Sequence, residues 1–234
     1  LVDNFLNFYK IGSGDISWID FLKFISSKGK PILIATGAAT IEDVDRSLNA
    51  LDYKTKNVVL MQCNTNYTVE PEKHRFVNLN VLSVYKNKYP ETVLGLSDHT
   101  LSHASVLGAI ALGARVFEKH FTDDNSREGP DHKFALNPVA WREMVDISNE
   151  VFETLGDGLK KVEENEHNAF IVQRRSIVCK SDLLEGHKIS ENDLDYLRPC
   201  PPGSFHPFEK DLILGKILNK NKLANESILK EDIC

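Results

Sequence analysis

Five short apolar runs recur along the first half of the chain, at residues 8–13, 31–37, 58–64, 93–99 and 116–120, each closing in small or polar residues. Runs of this length, apolar at nearly every position, predict parallel strands covered on both faces rather than strands with one wet side. Between them the period changes. Trp18, Phe21, Leu22 and Ile25 mark a helical stripe within residues 17–27. Thr40 before Ile41-Glu42-Asp43 reads as an N-cap with an acidic first turn. Residues 76–85 and 102–112 supply two further helices. Strand and helix alternate at roughly 25 to 30 residues per unit, which predicts repeated β/α units.

Periodicity alone leaves a doubly wound sheet and a barrel open; the ends of the strands separate them. Each run finishes in hydrogen-bonding or reactive side chains: Lys10 and Ser13, then Thr36, then Asn64 and Asn66, then Ser97 and His99, then Glu118 and His120. A doubly wound sheet concentrates its ligands at one switch point, whereas a barrel gathers every strand end around one mouth. The expected fold is therefore α/β, a (β/α)8 TIM barrel of which about the last five units are visible. A full barrel has eight strands in about 250 residues, so about three strands are expected upstream. The opening Leu1-Val2-Asp3-Asn4-Phe5, which lacks an initiator Met, fits a start inside a domain.

Asn137-Pro138 opens a long amphipathic helix carrying Trp141, Met144, Val145, Ile147, Val151, Phe152 and Leu155, which Gly156 and Gly158 end. Residues 160–168 are charged and show no stripe, and Ser176-Ile177-Val178 resumes as a strand. The expected organisation is a barrel portion at 1–159, a linker at 160–175 and a small β-rich domain at 176–234. That last part holds a faint repeat: Lys180 to Leu183 with Ile189 to Leu194 resembles Lys220 to Leu223 with Ile228 to Ile233. Two such halves predict a pseudo-symmetric module with one short helical turn in each. The proline-rich stretch 199–207 between them cannot be a central strand.

Composition excludes several classes. With 234 residues, 41% hydrophobic and 26% charged, the chain can bury a core. A formal charge of −6 leaves no general basic patch, so no nucleic-acid partner is expected. No apolar run approaches the ~20 residues that span a bilayer, and no charged-then-apolar stretch reads as a secretory signal. Cys63, Cys179, Cys200 and Cys234 are widely separated and form no CxxC pair, which predicts reduced thiols and a cytoplasmic location.

Candidate chemistry sits at the strand ends. Lys10, in Lys10-Ile11-Gly12-Ser13-Gly14-Asp15, can offer a compact charge to a phosphate or carboxylate, with Ser13 and turn N–H groups as further donors. A solvated lysine before an ordinary turn stays open on this motif alone. Ser97-Asp98-His99 and Glu118-Lys119-His120 end consecutive strands, which puts both imidazoles at one rim, near enough to share a divalent cation. Asp98 or Glu118 could orient a ring through its second nitrogen; two unrelated polar residues are the plainer alternative. Asp131, in Gly129-Pro130-Asp131, is either a sugar-binding carboxylate or an ordinary turn residue. His74, His103, His167 and His187 read as surface residues.

The segments Lys10 to Asp15, Gly95 to Thr100, Gly108 to Thr122, Gly129 to Asp131 and Arg198-Pro199 occur in the order and spacing of the N-acetylneuraminate (sialic acid) synthase family, and resemble it over essentially the whole chain. The last sixty or so residues resemble the antifreeze-like (SAF) domain that ends these synthases. The related legionaminic acid synthases share the pattern. The resemblance implies a cytoplasmic enzyme that condenses phosphoenolpyruvate with an N-acetylated amino sugar, N-acetylmannosamine or a diacetamido dideoxyhexose, and releases phosphate. It implies Lys10, Ser13 and Ser97 at phosphoenolpyruvate, with one of Asn64, Thr65 and Asn66 in the family's Asn role; Thr36, which ends its strand in the style of Ser13, is a further substrate-binding candidate. Glu118 joins Lys10, His99 and His120 among the catalytic residues. His99 and His120 become ligands of Mn2+ or Mg2+, and Tyr67, Asp131 and Asp15 contacts of the amino sugar. Arg198 would reach the active site of a partner protomer in a domain-swapped homodimer. Ala35 stands where many members carry Ser, and Asp15 where Glu is common. Two rivals remain at this point: a metal-dependent aldolase or lyase acting on pyruvate with the same barrel, and a non-catalytic carbohydrate-binding module.

Overall fold

The computed structural model describes residues 3–67 and 71–234; the opening Leu1-Val2 lies outside them. The chain divides into two compact units, Leu1–Gly158 and Leu159–Cys234.

The first unit alternates without exception: β1 (Tyr9–Ile11), α1 (Ile19–Ser26), β2 (Ile32–Ala35), α2 (Ile41–Leu51), β3 (Val58–Cys63), α3 (Val81–Lys88), β4 (Val93–Asp98), α4 (Ala104–Ala111), β5 (Val116–Lys119) and α5 (Pro138–Thr154). The five strands are parallel and lie in chain order, β1-β2-β3-β4-β5. The order never reverses, so this α/β sheet has no switch point of the doubly wound kind.

Local chemistry starts the helices where the sequence suggests. Thr40 caps α2: its hydroxyl accepts from the Asp43 N–H, and the Asp43 carboxylate accepts from the Thr40 N–H at 2.9 Å. Asn137 caps α5 by accepting from the Ala140 N–H at 3.0 Å, with Pro138 in the first turn. The third helix departs from expectation. Residues 71–77 form a 3-10 segment, Asn78 takes φ +50°, and α3 begins only at Val81. Asn tolerates the left-handed region, and an apolar stripe carries no signal for such a turn.

Strand alternation divides the residues between two faces. Ile32, Ile34, Val58, Leu60, Leu94 and Leu96 face the helices and pack with Leu22, Leu48, Leu82 and Ile110. The opposite face carries three rows set by the register: Lys10, Leu33, Val59 and Val93; Ala35, Met61, Gly95 and Val116; and Cys63, Ser97 and Glu118. Lys10 Nζ on β1 lies 2.8 Å from Glu118 Oε2 on β5. In a flat sheet, four interstrand spacings would hold those strands roughly 19 Å apart, beyond the combined reach of the two side chains. The sheet is therefore curled as a half-barrel, with the Lys10–Glu118 face on its concave side.

The second unit contains α6 (His167–Gln173) and an antiparallel pair, β6 (Ser176–Cys179) and β7 (Leu194–Leu197), around a core that includes Ile177, Leu183, Ile189, Phe205, Leu218 and Ile228. The faint repeat is structural. Leu183 and Lys222 exchange backbone hydrogen bonds of 2.8 and 2.9 Å, and each half has one 3-10 turn, Glu191–Asp193 and Lys230–Asp232. In each turn the aspartate accepts from a backbone N–H three residues earlier, of Ser190 or Leu229, at 2.8 Å. The segment expected as a linker, 160–175, is partly folded into this unit. The carbonyl of Ile171 on α6 accepts from the Cys200 N–H at 2.8 Å. A seven-residue helix is too short to show a stripe in the sequence. All four cysteines are free. Among the described residues no helix is long and apolar enough to cross a membrane.

Gly95 lets β4 pack closely against its neighbours on the concave face. A Cβ there would lie 2.9 Å from both Met61 Cγ and the Val116 carbonyl oxygen. Gly95→Ala is expected to lower stability by about 1–3 kcal/mol in chemical denaturation, and Met61→Ala in the same chain should not restore it, because the Val116 carbonyl cannot yield.

Candidate functional site

The concave face ends in a cluster of polar side chains. Ser13 opens a 3-10 turn (Ser13–Asp15) just past β1, and its hydroxyl accepts from the Gly37 N–H at 2.8 Å. Gly37 is required there: a Cβ would lie 2.4 Å from the Thr65 methyl and 2.9 Å from Ser13 Oγ. Cys63 and Ser97 pair in register on β3 and β4, and Ser97 pairs with Glu118 on β5. His99 and His120 each lie one residue past a strand on that same face, with ring centroids 5.2 Å apart.

Each imidazole is oriented, though not by the carboxylates the sequence suggested. His99 Nδ1 donates to the backbone carbonyl of Asn64 at 2.7 Å. His120 Nδ1 lies 3.5 Å from Asp131 Oδ2. Asp98 turns to the other side of the sheet, where it pairs with Lys119, and Glu118 pairs with Lys10. The cause is alternation: Asp98 and Lys119 occupy helix-facing positions between concave-facing neighbours.

These surroundings push the two histidines in opposite directions. Burial works against a proton on His99, but hydrogen bonds with the Cys63 thiol and the Asn64 carbonyl outweigh it and raise its pKa above the ordinary value. Burial lowers the pKa of His120, and the nearby His99 adds to that effect. Burial raises the Cys63 thiol, yet hydrogen bonds from His99, Ser13 and Ser97 bring it below its usual value.

An aromatic wall closes one side. Tyr67 lies 4.3 Å from His99 and 5.8 Å from His120 between ring centroids, and Phe134 lies 4.8 Å from His120 and 5.6 Å from Tyr67. Phe134 and Cys63 were not among the expected site residues. Phe134 follows the polar loop that carries Asp131, and an apolar side chain at the end of such a loop was the available signal. Cys63 had one too, since it shares the strand-end position of the polar residues on the other strands.

The remaining expected residues fall in different surroundings. Lys10, Ser13, Ser97, Glu118, His99, His120, Tyr67 and Asp131 belong to this cluster or its rim. Thr36 does not. It is buried, its hydroxyl donates to the Met61 carbonyl at 3.0 Å and accepts from Tyr85 on α3, so it serves the sheet–helix packing. The Asn64 side chain is used locally, donating to the Phe76 carbonyl and accepting from the Asn66 N–H, both at 3.0 Å. Asn66 is exposed beside Tyr67, and Asp15 is exposed in the turn after Ser13. Arg198 lies in the second unit, with its guanidinium donating to the Gln173 carbonyl.

Two adjacent imidazoles on one face fit a divalent cation that takes its other ligands from water or substrate oxygens. Among the described residues no group of three or more His, Cys, Asp or Glu side chains is arranged to hold a metal ion.

The chain belongs to the NeuB family: the model of that family matches residues 1–160, and the SAF domain model matches residues 174–233. It is 36% identical over 226 residues to the N,N'-diacetyllegionaminic acid synthase of Campylobacter jejuni, covering 95% of this chain and 66% of that protein. It is 34% identical over 229 residues to the synthase of the same name from Legionella pneumophila, covering 96% and 63%. The chain thus spans a little under two thirds of these curated relatives. A crystal structure of a Chromobacterium violaceum protein, described as a spore coat polysaccharide biosynthesis protein E, superposes with a TM-score of 0.80 at 21% identity, over 100% of this chain and 69% of that one, and shares the fold.

The opposite shifts of the two histidines give an order of titration. In the metal-free protein, NMR of the imidazole resonances is expected to show His99 binding its proton at higher pH than His120. The reverse order would contradict the roles given to Cys63 and Asn64.

Proposed function

We propose that this chain carries the chemistry of a nonulosonic acid synthase: condensation of phosphoenolpyruvate with the open-chain form of an N-acetylated amino sugar, giving a nine-carbon acidic sugar and inorganic phosphate. N-acetylmannosamine and a diacetamido dideoxyhexose are the candidate acceptors. The observation that carries the reading is the meeting of Lys10, Glu118, His99 and His120 at one end of a concave parallel sheet. We read that sheet as part of a (β/α)8 barrel, in which every strand end faces a common mouth.

In this reaction carbon 3 of phosphoenolpyruvate bonds to the aldehyde carbon, whose oxygen takes up a proton; water adds at carbon 2 and gives up its protons as the carbon 2–oxygen bond to phosphate breaks, leaving a ketone and inorganic phosphate. Lys10 is suited to hold the anionic substrate. Its side chain is 27% exposed and that of Glu118 42%, so their ion pair contributes no more than about 1 kcal/mol, and a phosphate or carboxylate can replace Glu118 at small cost. Ser13 and Ser97 add hydroxyl groups on the same face. Glu118, released from Lys10, is a carboxylate placed to take a proton from the entering water. Tyr67 and Phe134 offer ring faces to the sugar, and Asp131 a carboxylate to its hydroxyl groups. His99 and His120 would hold Mn2+ or Mg2+, which supplies polarisation of the sugar carbonyl oxygen.

We also propose that the protein works as a domain-swapped homodimer in which Arg198 of one protomer serves the sugar site of the other. Supporting this is the family's SAF domain at residues 174–233, and a planar guanidinium suits carbonyl and hydroxyl recognition.

Phosphoenolpyruvate, Mn2+ and each candidate sugar, supplied to the full-length protein, should give phosphate in step with loss of phosphoenolpyruvate. Lys10→Ala should lower kcat/KM about ten- to hundredfold, the loss of one charge-assisted hydrogen bond. Pyruvate formed or consumed without phosphate release would favour the aldolase or lyase reading instead.

Mixing Arg198→Ala with Lys10→Ala tests the swap. A mixed dimer would hold one site with both defects and one with neither, so activity should return on subunit exchange. Verified mixed dimers that stay inactive would place Arg198 outside the partner's site.

A further inference from the structure

Behind the two imidazoles lies a second, fully buried polar cluster that the proposed chemistry does not touch. Asp98 and Lys119 are partners in the β4–β5 register, and each immediately precedes one of the histidines. Their side chains are 1% exposed, and Lys119 Nζ lies 2.7 Å from Asp98 Oδ2. The ammonium gives its other two hydrogens to the carbonyls of Thr100 and Ser102, so all three donors are used. The carboxylate also accepts from the Thr100 N–H at 3.1 Å, the Thr100 hydroxyl at 3.0 Å and the Ser105 hydroxyl. One ammonium thus ties the end of β5 to the end of β4 and to the turn that carries His99 into α4.

The position of this cluster matters more than its charge. Past Asp98 and Lys119 the ladder stops, and neither His99 nor His120 belongs to a strand. The His120 carbonyl accepts from the Leu136 N–H at 2.8 Å, and what links the two strand ends to each other beyond the ladder is the Asp98–Lys119 bond with the carbonyls that Lys119 gathers. Salt bridges of this kind are not needed to bury the sheet, since Leu94, Leu96 and Phe117 already pack on the same face.

We propose that Asp98 and Lys119 are positioning residues that set the separation of the His99 and His120 imidazoles and so tune divalent-cation affinity. The inference rests on the proposed metal role of the two histidines. It assigns no contact between the pair and the cation; the pair acts through the backbone of the two strand ends.

The test is Mn2+ binding by the full-length protein, followed by electron paramagnetic resonance, with near-ultraviolet circular dichroism to report the fold. Asp98→Asn/Lys119→Met removes both charges together, leaves no unpaired buried ion, and keeps a side chain at 98 that can bond Thr100 and Ser105. It is expected to keep the parent's dichroism and bind Mn2+ about 10–100-fold more weakly, the usual range for groups behind a ligand. Affinity within threefold of the parent in that folded variant would overturn the inference. Ser105→Ala, which takes one bond from Asp98 and leaves the ion pair in place, is the second variant. It should weaken Mn2+ severalfold while keeping the parent's dichroism, and unchanged affinity there would also count against the role. If the parent itself binds no Mn2+, the metal reading and this inference fall together; if only the variants match the parent, the metal reading stands and the positioning role does not.

Discussion

Everything in the first unit depends on the alternation of side chains along parallel strands held in one register. Each strand is too short to do more than send two or three residues to either face, so a shift of one residue would exchange Ile34 for Ala35, Leu60 for Met61 and Leu96 for Ser97. The helix-facing set is large and apolar until the strand ends and closes the core. The concave-facing set becomes smaller and more polar toward the strand ends, which is what lets Lys10 reach Glu118 and the two imidazoles approach each other. Burial on one face thereby fixes chemistry on the other.

The two ion pairs of this sheet show how burial changes what a charge pair can do. Lys10–Glu118 is partly solvated and exchangeable. Lys119–Asp98 is not: removing one partner would strand a charge in the core, at about 3–5 kcal/mol. A fully hydrogen-bonded buried pair adds little net stability over an apolar one of the same shape, but it accepts few alternative arrangements. Placed next to a pair of ligands, such rigidity has a use that it would lack in the middle of a core.

The second unit repeats one device twice. In each half a 3-10 turn ends in an aspartate that captures a backbone N–H and a basic side chain: His187 at 2.9 Å from Asp193, and Lys222 at 2.7 Å from Asp232. The hydrogen bonds from His187 and Ser190 push Asp193 down to about 2. Small apolar cores such as this one are closed largely by turns, and carboxylates that satisfy turn N–H groups keep those turns in place.

The sequence by itself determined the five parallel strands, the helices between them, the caps at Thr40 and Asn137, the repeat in the last part, and the presence of Lys10, Ser97, His99, Glu118 and His120 at strand ends. These follow from local periodicity and residue chemistry, which a single chain displays. It placed Thr36 at the site, where tertiary structure turns its hydroxyl to Met61 and Tyr85. It looked to Asp98 or Glu118 to orient the imidazoles, where folding supplies a backbone carbonyl of Asn64, thirty-five residues away from His99, and Asp131. It gave Cys63 and Phe134 no place at the site, and it read residues 160–175 as a linker, part of which folds as α6. In each case the deciding quantity was the direction of one side chain, or a partner distant along the chain, and both are set only when the strands take their register and the sheet takes its curvature.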